Sequence, residues 1–195
     1  MKRCTLKLVG LTPYSTSRKT DNIPMLDRES HEDYERRIWR NKCTVNKDGV
    51  VCIPAMGYKQ SIDTTAYKLG MKVAGRRGAT YKGFFLSGFF CEADTPIHIN
   101  GKWLKPDDAE CVTIWANADG VRGSGKRVLR MFPSFATWEA EPTFIITDDI
   151  ITPEVFETHS RSAGVVAGLG RFRPEKGGFN GRFRVTDVKW EDFRL

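Results

Sequence analysis

Residues 168–183, GLGRFRPEKGGFNGRF, combine a flexible backbone with dense positive charge. The segment holds five glycines, three phenylalanines, three arginines and one lysine. Glycine readily adopts positive φ angles, at which successive backbone amides point toward an anion. Arginine guanidinium groups bind phosphate oxygens through paired hydrogen bonds. The chemistry that this composition predicts is recognition of phosphate groups.

Neighbouring residues suggest a role for each side chain in this glycine-rich loop. In an extended RFR tripeptide the arginines face one side and Phe172 the other, so Phe172, like Phe183, is predicted to pack inward. Phe179, between Gly178 and Asn180, is the candidate for stacking on a nucleotide base. The predicted phosphate-binding residues are Arg171, Arg173, Lys176 and Arg182. The glycines predicted to shape the loop are Gly168, Gly170, Gly177, Gly178 and Gly181.

Positive charge is concentrated rather than spread along the chain. Residues 68–82, 121–130 and 171–184 together carry 14 basic residues and one acidic residue, a net charge of +13. Since the whole chain has a formal net charge of +7, the rest of it carries −6. Solvated loops usually mix both signs, so these segments favour a polyanion partner, nucleic acid before an anionic membrane. The further candidates for nucleic-acid contact are Lys72, Arg76, Arg77, Lys82, Arg122, Lys126 and Arg127.

Residues suited to catalysis or metal binding are sparse. The three histidines stand far apart, and His159 is predicted to lie in the core. No metal-ligand spacing is present, so neither a metal nor a cofactor is predicted. The five cysteines are odd in number and widely spaced, which argues against disulfides and favours a reducing, cytoplasmic compartment. No apolar run approaches the ~20 residues that span a bilayer, and the first residues are predicted to form a strand rather than a signal peptide.

Hydrophobic periodicity predicts the elements that position these residues. One helix begins after Pro54 and ends at Gly70, and a second begins at Thr152 with Pro153 in its first turn. The inward faces are predicted to hold Ala55, Tyr58, Ile62, Ala66 and Leu69 in the first helix, and Val155, His159, Ala163 and Val166 in the second. Strands are predicted at 4–11, 49–54, 84–93, 111–116, 141–149 and 181–193, and a basic hairpin tip leading into a strand at 118–132.

This order of elements is typical of the split βαβ fold that RNA-recognition domains share. The sequence therefore predicts one α+β, ferredoxin-like and RRM-like domain over residues 1–195, with both helices on one face of the sheet. Residues 12–49 are polar and include a helix-prone stretch, DRESHEDYERRIWRNK. There we predict an insertion after the first strand, made of a loop and a short helix.

Two motifs in this order resemble the RAMP superfamily, the RNA-binding backbone and processing subunits of multi-subunit CRISPR effectors. The first is the glycine-rich loop between the last helix and the last strand. The second opens the first helix, where many RAMP proteins carry a segment like IPGSSLKG and this chain reads IPAMGYKQ. Ile53, Pro54 and Lys59 match that segment. The departures are Tyr58 in place of an apolar leucine, and Ala55, Met56, Gly57 and Gln60.

The resemblance implies a mode of binding. Lys59 and its helix would lie along the nucleic-acid backbone beside the glycine-rich loop, and copies would stack side by side on one strand. Residues 12–49 would match the thumb-bearing region of the backbone subunits. At 195 residues the chain resembles a compact, stand-alone member of this superfamily, of the kind expected in a phage or mobile element. The predicted function is binding of single-stranded nucleic acid through its phosphates, with RNA favoured and single-stranded DNA as the other substrate.

Two other functions follow from the same resemblance. Some RAMP backbone subunits cleave bound RNA with an aspartate in the loop after the first strand, where this chain has Asp21 and Asp27. Loop aspartates are usually turn formers, so a metal-dependent endoribonuclease is the minority interpretation. The other alternative is a phage protein that mimics or inhibits a CRISPR effector backbone and therefore binds effector subunits.

Overall fold

The computed structural model describes residues 1–20, 22–117 and 125–194. Its strands are β1 (Lys2–Gly10), β2 (Tyr14–Ser15), β3 (Cys52–Ile53), β4 (Phe89–Cys91), β5 (Thr95–Ile99), β6 (Lys102–Trp103), β7 (Glu110–Asn117), β8 (Arg127–Phe135), β9 (Glu139–Ala140), β10 (Thr143–Ile146) and β11 (Phe183–Asp192). Its α-helices are α1 (His31–Ile38), α2 (Ala55–Leu69), α3 (Lys82–Ser87) and α4 (Pro153–Val166). Short 3-10 helices cover Trp39–Lys42, Pro106–Asp108 and Pro174–Lys176.

Four antiparallel strands form the centre of the main sheet in the order β11, β1, β10, β4. β1 pairs with β11 from Lys2–Asp192 to Gly10–Phe183, and its other edge pairs with β10. β4 pairs with the far edge of β10. With α2 and α4 as the two crossover helices, this is the split βαβ arrangement. The predicted α+β class with a ferredoxin-like core is confirmed.

Both crossover helices pack on the same face of this sheet. The Phe144 ring on β10 lies 6.1 Å from the Tyr58 ring of α2 and 5.3 Å from the Phe156 ring of α4, measured between centroids. From β1, the alternate residues Cys4, Leu6 and Leu8 face the same core and are buried. Aromatic packing on alternate strand positions therefore holds the two helices against the sheet.

The two helices begin and end where the sequence predicts. Gly70 ends α2 with a φ of 56°, a left-handed conformation that glycine adopts without a Cβ penalty. The Thr152 hydroxyl caps α4 by accepting a hydrogen bond from the Val155 amide. The buried face of α4 also includes Phe156, which the predicted set omits, while Leu69 at the end of α2 stays partly exposed.

The segment 84–93, predicted as a strand, is a helix followed by a short strand. α3 occupies its first part, and β4 begins only at Phe89. The helix forms because Tyr81, Phe85 and Phe89 are spaced four apart, and neighbouring rings contact at 6.5 Å and 5.5 Å between centroids. A Cβ on Gly88 would lie 2.5 Å from the Phe84 carbonyl oxygen, so glycine permits the tight change from helix to strand.

A second sheet has three strands in the order β2, β8, β7. Its strand β2 comes from residues 12–49. β7 and β8 form an antiparallel ribbon, as the sequence predicts, and the tip of that hairpin, residues 118–124, lies outside the described residues. Residues 12–49 contain β2, α1 and the first 3-10 helix. Ile38 at the end of α1 and Trp39 directly after it are buried there.

A buried ionic network fixes α1 against β8. The Glu35 carboxylate accepts hydrogen bonds from Lys42 Nζ, the Arg130 guanidinium and the Met131 amide. Burial raises the pKa of Glu35, but these hydrogen bonds outweigh it and lower the pKa on balance. The carboxylate is therefore ionised, and its two cationic partners tie the insertion to the second sheet.

Four of the five cysteines are buried, and Cys111 is exposed. Burial raises the pKa of the Cys4 and Cys43 thiols to about 12, so both are protonated at neutral pH. Among the described residues, no helix combines the length and apolar character needed to cross a membrane.

Candidate nucleic-acid interface

The two sequence motifs meet in one cleft of about 460 Å³. On one side lie Pro54 and the first turns of α2, with Met56 and Gln60 at the wall. On the other side lie Gly170, Arg171 and Arg173 of the glycine-rich loop, and residues 14–17 complete the cleft. We call this the α2–loop cleft. Its formation explains why motifs far apart in the chain belong to one site.

Close packing fixes the glycine-rich loop beside β2. Gly170 has a φ of 73°, and a Cβ there would lie 2.3 Å from the Ser15 carbonyl oxygen. The next amide, of Arg171, donates a 2.7 Å hydrogen bond to that same oxygen. Glycine at 170 therefore lets the loop approach β2 closely enough to place Arg171 in the cleft.

The other glycines of the loop are required either for a positive φ angle or for space. Positive φ angles occur at Gly168, Gly177 and Gly181, as the sequence predicts. Gly178 differs, since its φ is not in the left-handed region. It is needed for space instead, because a Cβ there would lie 1.9 Å from the Phe172 carbonyl oxygen.

Most amides of the loop are used internally. Leu169 donates to the Gly181 carbonyl, Gly181 to the Pro13 carbonyl, and Asn180 to the Phe172 carbonyl. The expectation that successive amides point at a phosphate is therefore not met over most of the loop. The amides of Gly170 and Arg173 have no acceptor among the described residues, and both residues line the α2–loop cleft.

Arg171 is held by aromatic rings. Its guanidinium carbon lies 3.4 Å from the centroid of the Phe132 ring and 4.4 Å from that of Phe172. Burial lowers the pKa of Arg171, while the nearby charge of Glu35 opposes that shift. Its Nε is buried and has no hydrogen-bond partner in the described part of the chain. The Phe172 ring packs edge-on against the Phe132 ring. The backbone of Phe172 has a positive φ of 57°, which is strained for a bulky residue.

Arg173 braces the loop from within. Its Nε donates to Glu175 at 2.8 Å and its Nη1 donates to the Gly170 carbonyl at 3.1 Å. Lys176 also pairs with Glu175, at 3.2 Å, and stays largely exposed. Arg173 lines the cleft, but Glu175 neutralises part of its charge, whereas Arg171 has no ion pair among the described residues.

Phe179 and Arg182 form the outer rim of the loop. Phe179 is 65% exposed, and the Arg182 guanidinium lies 5.6 Å from its ring centroid. Arg182 also donates to the Phe179 carbonyl, while its own amide donates to the Thr12 hydroxyl. Phe183, by contrast, is buried against Trp138. An exposed ring beside a guanidinium is suited to stacking on a base next to a bound phosphate.

Lys59 is directed away from the cleft. Its ammonium pairs with Asp63 and donates to the carbonyl oxygens of Phe85 at 2.9 Å and Leu86 at 3.1 Å. The same ammonium lies 4.4 Å from the Phe89 ring centroid. This lysine therefore ties α2 to the C-terminal end of α3, and it does not line the cleft that the rest of its motif forms.

The other predicted basic contacts lie apart from the cleft. Lys72, Arg76, Arg77 and Lys82 are exposed around the turn after α2. Arg76 lies over the Phe84 ring and Lys82 over the Tyr67 ring. Lys126 and Arg127 are exposed at the described end of the β7–β8 ribbon, and Arg122 lies outside the described residues.

A second, basic pocket adjoins the α2–loop cleft and was missed by the sequence reasoning. It measures about 240 Å³ and is lined by Arg18, Lys19, Arg40 and Asn41 among other residues. Ser17 and Thr44 line the cleft, whereas their chain neighbours Arg18 and Cys43 line this Arg18 pocket, so the two are contiguous. The Arg18 amide donates to the Lys42 carbonyl at 2.8 Å, which holds the two chain segments together. Residues 12–49 mix both charge signs, so no charge run marked these cations.

The sheet face opposite the helices is less suited to stacking on nucleotide bases than the α2–loop cleft. At the central positions, where RNA-recognition domains place stacking aromatics, β1 carries Arg3, Thr5, Lys7 and Val9, and β10 carries Thr143 and Ile145. None of these is aromatic.

Of the two candidate catalytic residues, Asp27 is exposed and Asp21 lies outside the described residues. Within the described ranges, no group of three or more metal-ligating side chains is assembled.

The fold and cleft define an α+β protein of the ferredoxin-like class with a glycine-rich loop, and solved structures share that fold. The cryo-EM structure of the type III-B Cmr-beta bound to cognate target RNA matches 97% of this chain and 60% of its own, with a TM-score of 0.55 and 12% identity. The crystal structure of Cmr6 from Pyrococcus furiosus matches 95% of this chain and 99% of its own, with a TM-score of 0.51 and 12% identity. These two matches show that the chain shares its fold with both structures. No protein-family model matches the chain, and neither does any curated protein sequence.

Proposed function

We propose that the protein binds single-stranded nucleic acid, with RNA favoured over DNA, and holds its phosphates in the α2–loop cleft and the Arg18 pocket. The observation that carries the proposal is the meeting of both motifs in one cleft lined by Arg171 and Arg173. The adjoining pocket adds Arg18, Lys19 and Arg40. Neither lining includes an acidic side chain among the described residues. Arg40 pairs with Asp107 at 3.4 Å and Arg173 with Glu175 at 2.8 Å, whereas Arg18, Lys19 and Arg171 have no ion pair among the described residues. A track lined by more cations than acids is suited to a phosphate backbone.

Aromatic and apolar groups around the track suit unpaired bases. Phe172 and Phe179 are exposed on the loop, and Met56 is 62% exposed at the first turn of α2. Base stacking on such groups tolerates any sequence, whereas base reading requires precisely placed hydrogen-bond partners. We therefore propose binding with little sequence preference and a strong dependence on salt.

The arginines contribute more to this cleft than the helix end does. An N-terminal helix turn attracts anions through its free amides. In α2 the first of these, the Ala55 amide, already donates to the Asp94 carboxylate at 2.9 Å. The helix end is thus partly satisfied by an acid, and removal of arginine charge is the more informative change.

We favour RNA over DNA, and we propose that copies assemble along the strand, because solved structures of CRISPR complexes and their subunits share the fold. The matched Cmr-beta structure is bound to cognate target RNA. If this chain binds as a subunit of such an assembly, copies lie side by side on one strand and bind it cooperatively. Among the basic residues outside the cleft, Lys72, Arg76, Lys82, Lys126 and Arg127 would then extend the track on longer strands. Arg77 would instead meet the neighbouring copy.

A second candidate is a role among CRISPR effector subunits, either as a component or as a mimic that inhibits them. The match to Cmr6, which covers 99% of that chain, favours it. An inhibitor would bind effector subunits or guide RNA more tightly than generic strands. Pull-down with purified effector subunits, with and without guide RNA, separates this candidate from general strand binding.

Fluorescence anisotropy with matched single-stranded RNA, single-stranded DNA and duplex tests the proposal. We expect tight binding to single strands that weakens steeply between about 50 mM and 200 mM salt. The triple variant Arg171→Gln, Arg173→Gln, Arg182→Gln should lose binding while circular dichroism reports a folded domain. Normal binding by that folded variant would refute the proposed site.

Cleavage is tested in the same samples. Labelled RNA incubated with magnesium reports the endoribonuclease alternative, in which Asp21 or Asp27 would be required. Product formation that disappears in the Asp21→Asn or Asp27→Asn variant would make the protein a nuclease that uses the same binding track. Intact RNA after prolonged incubation is the outcome that we expect.

A further inference from the structure

An acidic and aromatic pocket lies on the sheet face opposite the helices. It measures about 320 Å³ and is lined by Pro96, His98, Trp103 and Glu141, among others. His98 on β5 pairs with Trp103 on β6 and, on its other side, with Glu139 on β9. Cross-strand neighbours project from the same face of a sheet, so these strands place an indole, an imidazole and carboxylates side by side. We call this the Trp103 pocket.

The Trp103 indole is positioned for a ligand rather than buried in a core. It is 53% exposed, and the His98 ring contacts it edge-on at 5.3 Å and 83°. That contact orients the indole and leaves aromatic surface toward the pocket. Large exposed aromatic surface beside a cavity is typical of a binding site.

The charge of the pocket selects the ligand. Neither Glu139 nor Glu141 makes an ion pair or a side-chain hydrogen bond with the described residues. The Glu141 carboxylate lines the pocket and Glu139 is the cross-strand neighbour of His98, so both repel the phosphates of a nucleotide there. A guanidinium group is the better match, because it stacks on indole and pairs with a carboxylate through two parallel hydrogen bonds.

The chain itself presents an arginine of the required kind. The turn after α2 is closed by a bridge between Lys72 and Thr80 and contains Gly75 and Gly78 in left-handed conformations. Arg77 lies between these glycines, is exposed, and makes no ion pair, side-chain hydrogen bond or ring contact with the described residues. Its neighbour Arg76 is engaged by the Phe84 ring. Arg77 is therefore a free cation on a tight turn, complementary in charge to the Trp103 pocket.

We propose that the Trp103 pocket of one copy binds Arg77 of a second copy, an inference that rests on the proposed side-by-side assembly. Pocket and arginine belong to different surfaces, so the contact is head-to-tail. Contacts of this kind repeat without closing unless the rotation completes a ring. The protein would thus carry both halves of a repeating contact on one chain, as assembly along a strand requires.

The first arm of the test measures the pocket alone. Acetyl-arginine amide is titrated into the protein while the Trp103 indole N–H resonance is followed by NMR, with acetyl-glutamine amide as the matched neutral control. We expect a saturable shift with arginine only, reduced about tenfold in apparent affinity by Glu141→Gln. Because Trp103→Ala removes the reporting indole, that variant is tested by isothermal titration calorimetry, in which we expect no saturable arginine binding. Equal shifts with both amides, or a larger shift with a nucleoside monophosphate, would overturn the assignment.

The second arm identifies the source of the arginine without nucleic acid present. Sedimentation analysis is applied to wild type, Arg77→Glu, Glu141→Arg and an equal mixture of the two variants. We expect concentration-dependent association in wild type, none in either variant, and restoration in the mixture, because each pocket then meets a tip of opposite charge. Association that survives in both variants, or fails to return in the mixture, would overturn the second-copy contact.

The two arms separate this inference from the proposed function. Arg77 and Glu141 lie outside the α2–loop cleft, so each monomeric variant should still bind an oligonucleotide that accommodates one copy. Loss of cooperative binding to longer strands, with short-strand affinity retained, is the expected combined result. If short-strand binding is absent in wild type as well, the proposed function fails independently of this contact.

Discussion

The Arg171 guanidinium lies against the Phe132 ring, with its central carbon 3.4 Å from the ring centroid. Lys42 Nζ lies 4.5 Å from the centroid of the same ring and forms an ion pair with the Glu35 carboxylate. One aromatic ring on β8 thus joins the glycine-rich loop to residues 12–49. The main basic group of the cleft is positioned by the inserted elements, not by the loop alone.

Arg171→Lys should weaken binding of single-stranded RNA about tenfold although the charge is kept, because lysine cannot stack as a plane or form paired hydrogen bonds with phosphate. Anisotropy measures the affinity. Arg77→Lys, at an exposed position outside the cleft, is the matched control and should leave short-strand affinity unchanged. Equal behaviour of the two variants would mean that Arg171 contributes only its charge.

Gly170→Ala should destabilise the fold by about 1–3 kcal/mol, because it combines a left-handed φ with a Cβ clash against the Ser15 carbonyl. Urea unfolding followed by circular dichroism gives the change. Gly78→Ala is the control, since Gly78 has a φ of 79° but open space around its Cβ position. Its cost should be smaller, and a larger cost there would contradict the close-packing account.

Lys59→Met should lower the free energy of unfolding by about 1–3 kcal/mol, because it leaves the partly buried Asp63 carboxylate without its cation. RNA affinity of the folded variant should stay within about twofold of wild type. Urea unfolding and anisotropy measure the two effects. A large loss of RNA affinity with unchanged stability would instead restore the direct contact that the motif resemblance implies.

His159 should make the fold sensitive to mild acid. Burial lowers its pKa below the usual 6.5, and its Nε2 has no hydrogen-bond partner in the described part of the chain. The unfolded state then takes up the proton at a higher pH than the folded state, so stability is lost as pH falls below about 6.5. Chemical unfolding across this pH range should show the slope in wild type and a reduced slope in His159→Gln.

The order of the core elements could be predicted from the sequence because local signals agreed with the final packing. Gly70, Thr152 and Pro153 each mark a helix end through local chemistry: Gly70 by a left-handed φ, Thr152 by a side-chain cap and Pro153 by its fixed φ. The helix at Lys82–Ser87 escaped prediction because its aromatic residues are also favourable in strands, and only contacts with the core decide between the two.

The site was predictable in part for a related reason. Composition marked Arg171 and Arg173, since glycines and arginines stand together in one segment. It did not mark Arg18 and Arg40, whose proximity to the cleft depends on how residues 12–49 fold back. Lys59 matched a motif by position, but its side-chain direction depends on the C-terminal end of α3. Pairings between distant segments carry no local sequence signal.

Photo-cross-linking tests most directly whether a single strand occupies the α2–loop cleft. RNA containing 4-thiouridine is irradiated in complex with the protein, and cross-linked residues are identified by mass spectrometry. If the strand lies in the cleft, we expect cross-links at residues 16–19, at Met56 or Gln60, and at Phe172 or Phe179. Cross-links confined to the open sheet face, around Arg3, Lys7 and Thr143, would contradict it and indicate binding of the RNA-recognition-domain type.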